Sequence, residues 1–386
     1  MKVIIVGGGI AGLAAAIAVA RTKHRVLLLE RSPRIEERGA GLQIGPNGIK
    51  ALDWLGAWEL LRDKTWQPQH LRFMNGLTGQ LIRSMALAGS FERSFGSPYV
   101  VVLRADLLAA LQVRAGAAPG VEIRTGCEVT GFEWRGAEPT VRLADTAETA
   151  DAVIGADGVH STVRRHLLDD GPALHGNHVL FRALVPRNRA PAVSPDVLVW
   201  FYPGGHVVHY PVAGGKLINF VAVAQEATGG EATSASPSEV ATAFPAMTTE
   251  LRYLLGLPET WHRWRSSDRR PVRRWGTGPA TLIGDAAHPM APYLAQGAAA
   301  ALEDSVTLGE ALEGASDVAG AFRQFERRRI ARTSRLARAS RRQGGVYHAT
   351  GWSAFLRDVL LANVPAGLLL AQVRWIYAWR PPGTPG

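Results

Sequence analysis

The residues that could do chemistry begin with three glycines near the N-terminus. Gly7, Gly9 and Gly12 lie in "GGGIAG", between the apolar run "KVIIV" and the small-residue run "LAAAIAVAR". Between a strand and a helix, the first permits a tight turn, the second lets the backbone approach a pyrophosphate, and the third lets the helix pack closely. A second apolar run, "RVLLLE", ends at Glu30, placed to accept hydrogen bonds from ribose hydroxyls. This pattern predicts a dinucleotide site at a helix N-terminus.

Two further acidic residues follow apolar runs much later in the chain. Asp157 lies in "ADAVIGADGVHSTVRRHL", and Asp285 lies in "TLIGDAAHPMAPYLAQGAAAALED". Because ligands bind at the carboxyl edge of a parallel sheet, we expect both carboxylates near the same nucleotide. A nucleotide contacted by several distant segments indicates a permanently held cofactor, so FAD fits better than a departing NAD. Each aspartate could instead cap the helix that follows it.

Three motifs match one known family in order and spacing: "GGGIAG" with Glu30, "GADGVHSTVR" and "LIGDAAHPMAPYLAQGAAAALED". The intervening "RADLLAAL" and "HVVHYPV" match as well, as does "RWIYAW" near the C-terminus. On these residues the chain resembles the single-component FAD-dependent aromatic hydroxylases, which include p-hydroxybenzoate and salicylate hydroxylases. The resemblance covers nearly the whole chain and is strongest to the salicylate, 3-hydroxybenzoate and 6-hydroxynicotinate group.

The resemblance implies a tightly bound, non-covalent FAD and assigns residues to it. Arg104 would bind the pyrophosphate, since a guanidinium can form two hydrogen bonds to phosphate oxygens. Asp285 would accept hydrogen bonds from the ribityl hydroxyls. The "ADG" motif around Asp157 is associated in the family with both FAD and NAD(P)H.

A second part of the cofactor site is implied around the isoalloxazine ring. Pro292 and the turn before Gly297 and Ala298 would lie beside the ring, where a helix N-terminus stabilises negative charge on the reduced flavin. The full set predicted to bind the cofactor is Gly7, Gly9, Gly12, Glu30, Arg31, Arg104, Val129, Asp157, Asp285, Pro292, Gly297 and Ala298.

The family reaction implies a base near the flavin. NAD(P)H, a transient co-substrate, reduces the flavin, O2 adds to give a flavin hydroperoxide, and its distal oxygen passes to an aromatic ring. Deprotonating a phenol makes that ring a better nucleophile. In hydroxybenzoate and hydroxynicotinate relatives a histidine and a tyrosine four residues apart line the substrate pocket, and His206 and Tyr210 match that spacing.

The strand period separates these two residues from a rival base. Residues four apart on a strand share a face, whereas His209, three after His206, would face the other side. The predicted catalytic residues are therefore His206 and Tyr210, and the predicted substrate pocket is formed by Gln43, His206, Tyr210 and Pro292. Gln43 stands where some hydroxynicotinate relatives carry a histidine, which argues against that substrate.

Other classes of protein share parts of this pattern. A flavin-dependent halogenase should carry a Trp-x-Trp-x-Ile-Pro signature and a catalytic lysine, which "WHRWRSS" does not provide. A flavin-dependent oxidase, reductase or epoxidase on the same scaffold stays open, and so does a non-catalytic flavoprotein module. Substrate-stimulated consumption of NAD(P)H and oxygen, with hydroxylated product, would separate the hydroxylase from these alternatives.

Composition limits the partners and the compartment. The chain has 386 residues and a net charge of +10. Its single cysteine excludes internal disulfides and thiolate metal clusters and favours the cytoplasm. No metal site is predicted. The arginine-rich stretch from Phe322 to Gln343 predicts a solvated helix rather than a nucleic-acid site. The charge-free stretch from Val359 to Val373 contains a proline and is too short to cross a bilayer. The expected partners are a small aromatic substrate and O2, without nucleic acid or stable membrane association, and a homodimer is one option.

The elements that must position these residues predict the fold. The first unit, strand–glycine turn–helix–strand, belongs to a Rossmann-like parallel sheet that "ATLIGD" rejoins. Strands rich in β-branched and aromatic residues from Val179 to Val223 predict a separate antiparallel sheet. "RADLLAALQVRA" predicts a helix that begins near Arg104, "GAGLQIGPNGIKALDWLG" a loop that enters a helix, and Thr228 to Ser238 a surface loop.

The predicted fold class is α/β: a Rossmann-like FAD-binding parallel sheet with an inserted antiparallel-sheet substrate domain and C-terminal helices. The FAD-binding domain is predicted in three segments, 1–70, 99–170 and 276–330. The substrate domain takes 71–98 and 171–275, and the C-terminal helices take 331–386.

Overall fold

A computed structural model describes residues 1–36, 40–225 and 233–383. The strands are β1 (Lys2–Val6), β2 (Arg25–Leu29), β3 (Gly41–Ile44), β4 (His70–Asn75), β5 (Leu81–Ala86), β6 (Val100–Leu103), β7 (Val121–Arg124), β8 (Gly131–Arg135), β9 (Glu138–Arg142), β10 (Ala147–Thr149), β11 (Ala152–Gly155), β12 (Leu174–Pro186), β13 (Val197–Tyr202), β14 (Gly205–Val212), β15 (Leu217–Gln225), β16 (Ser234–Ala235), β17 (Trp261–Asp268) and β18 (Ala280–Leu282). The α-helices are α1 (Ile10–Arg21), α2 (Pro46–Trp54), α3 (Trp58–Leu61), α4 (Ser90–Phe95), α5 (Arg104–Gly116), α6 (Thr162–Leu168), α7 (Pro237–Thr242), α8 (Thr249–Gly256), α9 (Gly284–Ala287), α10 (Gly297–Leu312), α11 (Val318–Tyr347), α12 (Gly351–Asn363) and α13 (Ala366–Tyr377). Short 3-10 helices span Arg62–Lys64, Arg187–Arg189 and Pro292–Leu294.

The first sheet is parallel and collects strands from distant parts of the chain. Its order is β18-β11-β1-β2-β7, with Val3 opposite Ala152 and Ile5 opposite Leu28. Strands β1 and β2 are buried from their second residue onward, which is typical of parallel strands covered on both faces. The chain leaves this sheet and returns to it through β18, as the sequence predicts.

The second large sheet has the order β16-β17-β12-β15-β14-β13-β4-β5. Its neighbouring strands pair antiparallel except β13 and β4, which are parallel. The predicted α/β class with a separate antiparallel sheet is confirmed. The strands of this sheet lie between residues 70 and 86 and between 174 and 268. The division of the chain into six segments stays a prediction.

The loop predicted at "GAGLQI" is wrong. Gly39 lies outside the described residues, and Gly41–Ile44 form β3, which pairs antiparallel with β6, so that Leu42 lies opposite Val102. A strand of only four residues that begins with glycine lacks the apolar run by which the longer strands are recognised. The helix predicted to follow is present and begins at Pro46. The helix predicted near Arg104 begins at that residue.

The surface loop predicted from Thr228 to Ser238 is only partly described, because residues 228–232 lie outside the described ranges. The remainder contains β16 and the start of α7, so the prediction is wrong there. Ser236 and Glu239 form a capping box at the start of α7, which explains why serine-rich sequence begins a helix.

The basic stretch predicted as one helix lies within α11. Several of its arginines pair with acidic residues: Arg323 with Glu326, Arg328 with Glu310, Arg332 with Glu303, and Arg341 with Asp268. In the described residues no single helix is long and apolar enough to cross a membrane, although α12 and α13, bent by 100°, pass that test as a pair.

Candidate active site

A cavity of about 610 Å³ lies between strands of the eight-stranded sheet and the turns and helices that follow strands of the parallel sheet. Nine of the predicted site residues lie on its wall: Gly9, Gln43, Arg104, His206, Tyr210, Asp285, Pro292, Gly297 and Ala298. The other predicted residues, Gly7, Gly12, Glu30, Arg31, Val129 and Asp157, do not line it. The fold thus brings the first glycine turn, the later "GDAAHP" segment and strand β14 to one space.

The glycines of the site divide into two kinds. Gly7 has a φ of +107°, and a Cβ on Gly12 would lie 1.8 Å from the carbonyl oxygen of Gly7, so both serve the fold of the turn. A Cβ on Gly9 or Gly297 would meet no protein atom within 4 Å, although both residues line the cavity. Their missing side chains leave room for a ligand, as the close approach of a dinucleotide requires.

Glu30 lies at the end of β2, beside this turn. Its Oε2 accepts a hydrogen bond from the Gly8 N–H at 2.6 Å, and its Oε1 accepts one from the Ser32 N–H at 2.8 Å. An ionised carboxylate has about four acceptor positions, so two remain for ribose hydroxyls. Arg31 follows with an exposed side chain, whereas Val129 is 7% exposed and packs in the core of the parallel sheet.

Asp157 caps α6. Its carboxylate accepts hydrogen bonds from the Ser161 hydroxyl, from the Thr162 N–H at 2.7 Å and from the Val163 N–H at 3.2 Å. Burial raises the pKa of Asp157, and these hydrogen bonds oppose the shift. Helix capping, the alternative left open by the sequence, is therefore present; contact with a cofactor stays a prediction.

Asp285 projects an exposed side chain from α9 at the cavity wall. The short helix is held from behind by Arg164, which is 1% exposed. Its Nη1 donates hydrogen bonds to the carbonyls of Ala286 at 2.8 Å and Ala287 at 2.7 Å. Sequence reasoning missed this residue, although it closes the motif "GADGVHSTVR".

Helix α10 begins at the cavity with Gly297 and Ala298, whose N–H groups have no partner within the helix. Behind them lies a buried ionic network formed by Glu303, Asp304 and Arg329, each at most 1% exposed. Arg329 donates through Nε to Asp304 Oδ1 and through Nη1 to Glu303 Oε2, both at 2.7 Å. No pattern in the sequence predicts this network.

The ionic network ties α10 to other elements of the site. Asp304 Oδ2 accepts from the Gly284 N–H at 3.0 Å and lies 2.5 Å from His288 Nε2. Glu303 Oε1 accepts from Asn47 Nδ2 at 2.7 Å. His288 is thus bound to a buried carboxylate rather than directed at the cavity, which agrees with a structural role.

Strand β14 alternates as its sequence predicts. His206, Val208 and Tyr210 line the large cavity. His209 lies on a second cavity of about 320 Å³, and its Nε2 accepts from the indole of Trp200 at 3.1 Å. Burial lowers the pKa of His209 to about 3.

His206 is 4% exposed and uses one ring nitrogen within the protein. Its Nδ1 lies 2.9 Å from Nε2 of His348, which leaves Nε2 of His206 as the nitrogen that can meet a ligand. Burial, with the neighbouring His348 and His178, holds the pKa of His206 well below its usual value. At neutral pH the ring is uncharged and can accept a proton.

The neighbouring polar residues of the cavity are hydrogen-bond donors and acceptors at neutral pH. Burial raises the pKa of Tyr210 to about 12, despite the opposing effects of Arg182 and Gln43, so its phenol stays protonated. Gln43 Oε1 accepts from the Tyr99 hydroxyl at 2.6 Å. The apolar part of the wall includes Leu180, Val208, Val221, Val223 and Trp264.

An open glycine turn of a Rossmann-type sheet and a buried, uncharged histidine on an apolar wall share this cavity. A glycine turn at the carboxyl edge of such a sheet is typical of proteins that bind a dinucleotide cofactor. The sequence matches the family model described as FAD binding domain over residues 1–338, so the chain belongs to this FAD-binding family. Its cofactor is FAD.

Named relatives agree with this class. The chain is 40% identical to 3-hydroxybenzoate 6-hydroxylase of Klebsiella oxytoca, over 98% of this chain and 97% of that protein. It is 36% identical to 3-amino-4-hydroxybenzoate 2-monooxygenase PtmB3 of Streptomyces platensis, over 98% and 96%. The chain is an FAD-dependent monooxygenase of the aromatic hydroxylase type, as the motifs predict.

Solved structures show the same fold. A salicylate hydroxylase substrate complex superposes with a TM-score of 0.83 at 24% identity, covering 98% of this chain and 95% of the other. HpxO of Klebsiella pneumoniae, complexed with FAD and uric acid, superposes with a TM-score of 0.88 at 24% identity, covering 98% and 96%.

Proposed function

We propose that the chain hydroxylates a small phenolic acid of the 3-hydroxybenzoate type, with NAD(P)H and O2 as co-substrates. The observation that carries this proposal is His206, a buried and uncharged imidazole on the wall of the large cavity, whose Nδ1 is engaged by His348 so that Nε2 remains to meet a ligand. Relatives named for hydroxybenzoates, at 40% and 37% identity over nearly the whole chain, support the choice of substrate class.

The rest of the cavity wall suits a phenolic acid. Its aliphatic and indole side chains match the faces of an aromatic ring. Arg182 and Arg265 lie on the same wall and supply positive charge for a carboxylate. Tyr210, protonated at neutral pH, can donate a hydrogen bond that orients the ring.

The proposed mechanism assigns separate tasks to the residues of the chain. Bound FAD supplies the redox and oxygen chemistry. Arg104 and Asp285 would hold its pyrophosphate and ribityl chain, and the N–H groups that begin α10 at Gly297 would stabilise negative charge on its ring. His206 Nε2 accepts the proton of the substrate hydroxyl, which makes the ring more nucleophilic. Val208 and Val223, two buried residues of the wall, limit the access of water to this step.

The test is substrate-dependent turnover of the purified holoenzyme. With 3-hydroxybenzoate and either NADH or NADPH, we expect stimulated nicotinamide and oxygen consumption and a product one oxygen atom heavier by mass spectrometry. Benzoate, which has no hydroxyl proton for His206, is the matched control and should give no hydroxylated product. Consumption that yields only hydrogen peroxide would favour an oxidase or reductase, a non-aromatic oxygenated product would favour an epoxidase, and a flavin that NAD(P)H does not reduce would favour a non-catalytic module.

Two further properties belong to the proposal. We place the protein in the cytoplasm, where NAD(P)H is available and where a chain with a single cysteine keeps it reduced. A homodimer stays a prediction, and light scattering of the purified holoenzyme measures it directly.

A further inference from the structure

Three histidines from separate elements lie in a row that begins at the cavity. His206 on β14 lies 2.9 Å, Nδ1 to Nε2, from His348 at the end of α11. The rings of these two residues are stacked, with centroids 5.1 Å apart. The ring of His348 lies 4.3 Å from that of His178 on β12. The proposed mechanism uses only the first of them.

Burial decreases along this row. His206 is 4% exposed, whereas His348 and His178 are half-buried and so reach toward solvent. Tyr293 and Tyr347 pack edge-on against His206, at centroid distances of 5.8 and 5.0 Å. Burial raises the pKa of both phenols to about 12, so neither takes up a proton from the row at neutral pH.

The bond between His206 and His348 has two neutral arrangements. A neutral imidazole carries one N–H donor and one bare acceptor nitrogen. In the first arrangement His206 donates from Nδ1 and His348 keeps its proton on Nδ1. In the second, His206 carries its proton on Nε2, while His348 donates from Nε2 and has a bare Nδ1. Between the two, one proton has entered at His206 Nε2 and one has left from His348 Nδ1.

We propose that His348 carries the substrate proton from His206 to water, so that the two histidines form a proton relay. This inference rests on the proposed function. The substrate O–H bond breaks and an N–H bond forms at His206 Nε2. The Nδ1–H bond of His206 breaks while an Nε2–H bond forms on His348, and the Nδ1 proton of His348 passes to water beside His178. His348 does not line the cavity and acts through His206, so it is a positioning residue.

Both end states of the relay leave the imidazoles uncharged, which explains how it works at a buried site. Burial and the nearby His178 lower the pKa of His348 to about 3, and the pKa of His206 is also depressed. A base that had to stay protonated would be disfavoured there. Exchanging one proton for another avoids that penalty once transfer is complete.

The decisive variant is His348→Gln. A glutamine oxygen can accept the Nδ1–H of His206, but an amide cannot pass that proton onward. His348→Asn provides a second variant of the same kind if the first does not fold. His166→Gln is the matched control, because His166 is exposed on α6 and lies away from the row.

The first measurement is proton release when holoenzyme in weak buffer is mixed with 3-hydroxybenzoate, followed by a pH dye in a stopped-flow instrument. We expect His348→Gln to slow release about 10- to 100-fold, at or below the range for removing a general base, because His206 still accepts the proton. Substrate affinity should stay within about threefold of wild type, since His348 does not line the cavity. Release at the wild-type rate would overturn the relay.

The second measurement needs no substrate. In holoenzyme labelled with 15N-histidine, NMR gives the exchange rate of the His206 ring proton with water. The relay predicts slower exchange in His348→Gln than in wild type and in His166→Gln; equal or faster exchange would overturn it. If wild-type enzyme releases no proton with 3-hydroxybenzoate, the proposed substrate has failed, and the ring exchange alone decides the relay.

Discussion

Replacing Arg329 with methionine should cost the protein a large part of its stability. The guanidinium of Arg329 is buried and donates to Asp304 at 2.7 Å, to Glu303 at 2.7 Å and to the Ala300 carbonyl at 3.1 Å. Without Arg329, Glu303 Oε2 still accepts a hydrogen bond from Arg332 Nε at 2.6 Å. Among the described residues, Asp304 would then retain only its contacts with His288 and the Gly284 N–H. The penalty should therefore fall on Asp304.

The expected loss in the free energy of unfolding is about 3–5 kcal/mol, the range for breaking a buried ion pair and leaving a charge behind. Methionine is unbranched like the stem of arginine and has a similar helix propensity, so the helix itself should persist. The assay is urea unfolding at neutral pH, with FAD at the same saturating concentration for each variant, because a bound ligand adds to apparent stability.

Arg328→Met is the matched control on the same helix. Arg328 pairs with Glu310 at 3.1 Å but has a side chain that is 45% exposed. Such a pair contributes at most about 1 kcal/mol. Adding Asp304→Asn to Arg329→Met should recover part of the loss, since it removes the uncompensated charge. If Arg329→Met and Arg328→Met unfold within about 1 kcal/mol of each other, the network does not support α10 as argued.

Four more predictions concern single residues. Asp285→Asn should weaken FAD binding in equilibrium dialysis without loss of apoprotein stability; unchanged retention would remove the carboxylate from the cofactor site. Glu30→Ala should lower FAD affinity by about 1.5–3 kcal/mol in a fluorescence titration, whereas an unchanged Kd would limit Glu30 to its bonds with the turn. His206→Ala should keep FAD and its reduction but lose about 10²–10⁴-fold in hydroxylation and release hydrogen peroxide, while His209→Ala stays coupled; the reverse result would assign the base to His209. The folded pKa of His209, about 3, lies below its ordinary 6.5, so the unfolded chain binds the extra proton between these values. Its contribution to stability is complete above pH 6.5 and falls by about 1.4 kcal/mol per unit below it, a slope that His209→Gln should remove from the pH dependence of urea midpoints.

The parts of the site that could be predicted from the sequence are those where the backbone conformation determines which residue type is allowed or which way a side chain points. Gly7 and Gly12 are needed by the turn, and the alternation of β14 follows from the strand period alone. The loop predicted in place of β3 failed because pairing with β6, nearly sixty residues later, makes it a strand. Arg164 and His348 could not be assigned, because each acts through a partner more than a hundred residues away.

The ionic network behind α10 serves to position this helix. Replacing a buried ion pair by apolar residues of similar size is often neutral or even stabilising, so stability alone gives little reason for burying Glu303, Asp304 and Arg329 together. Directional bonds do what apolar contacts cannot: Asp304 binds the first N–H of α9, and Glu303 binds Asn47 on α2. Both carboxylates also bind α11. Three elements are thereby fixed to one helix whose first residues line the cavity, and an error in its axial position would displace those N–H groups from the cavity wall. The buried charges therefore hold the start of α10 at the wall of the cavity.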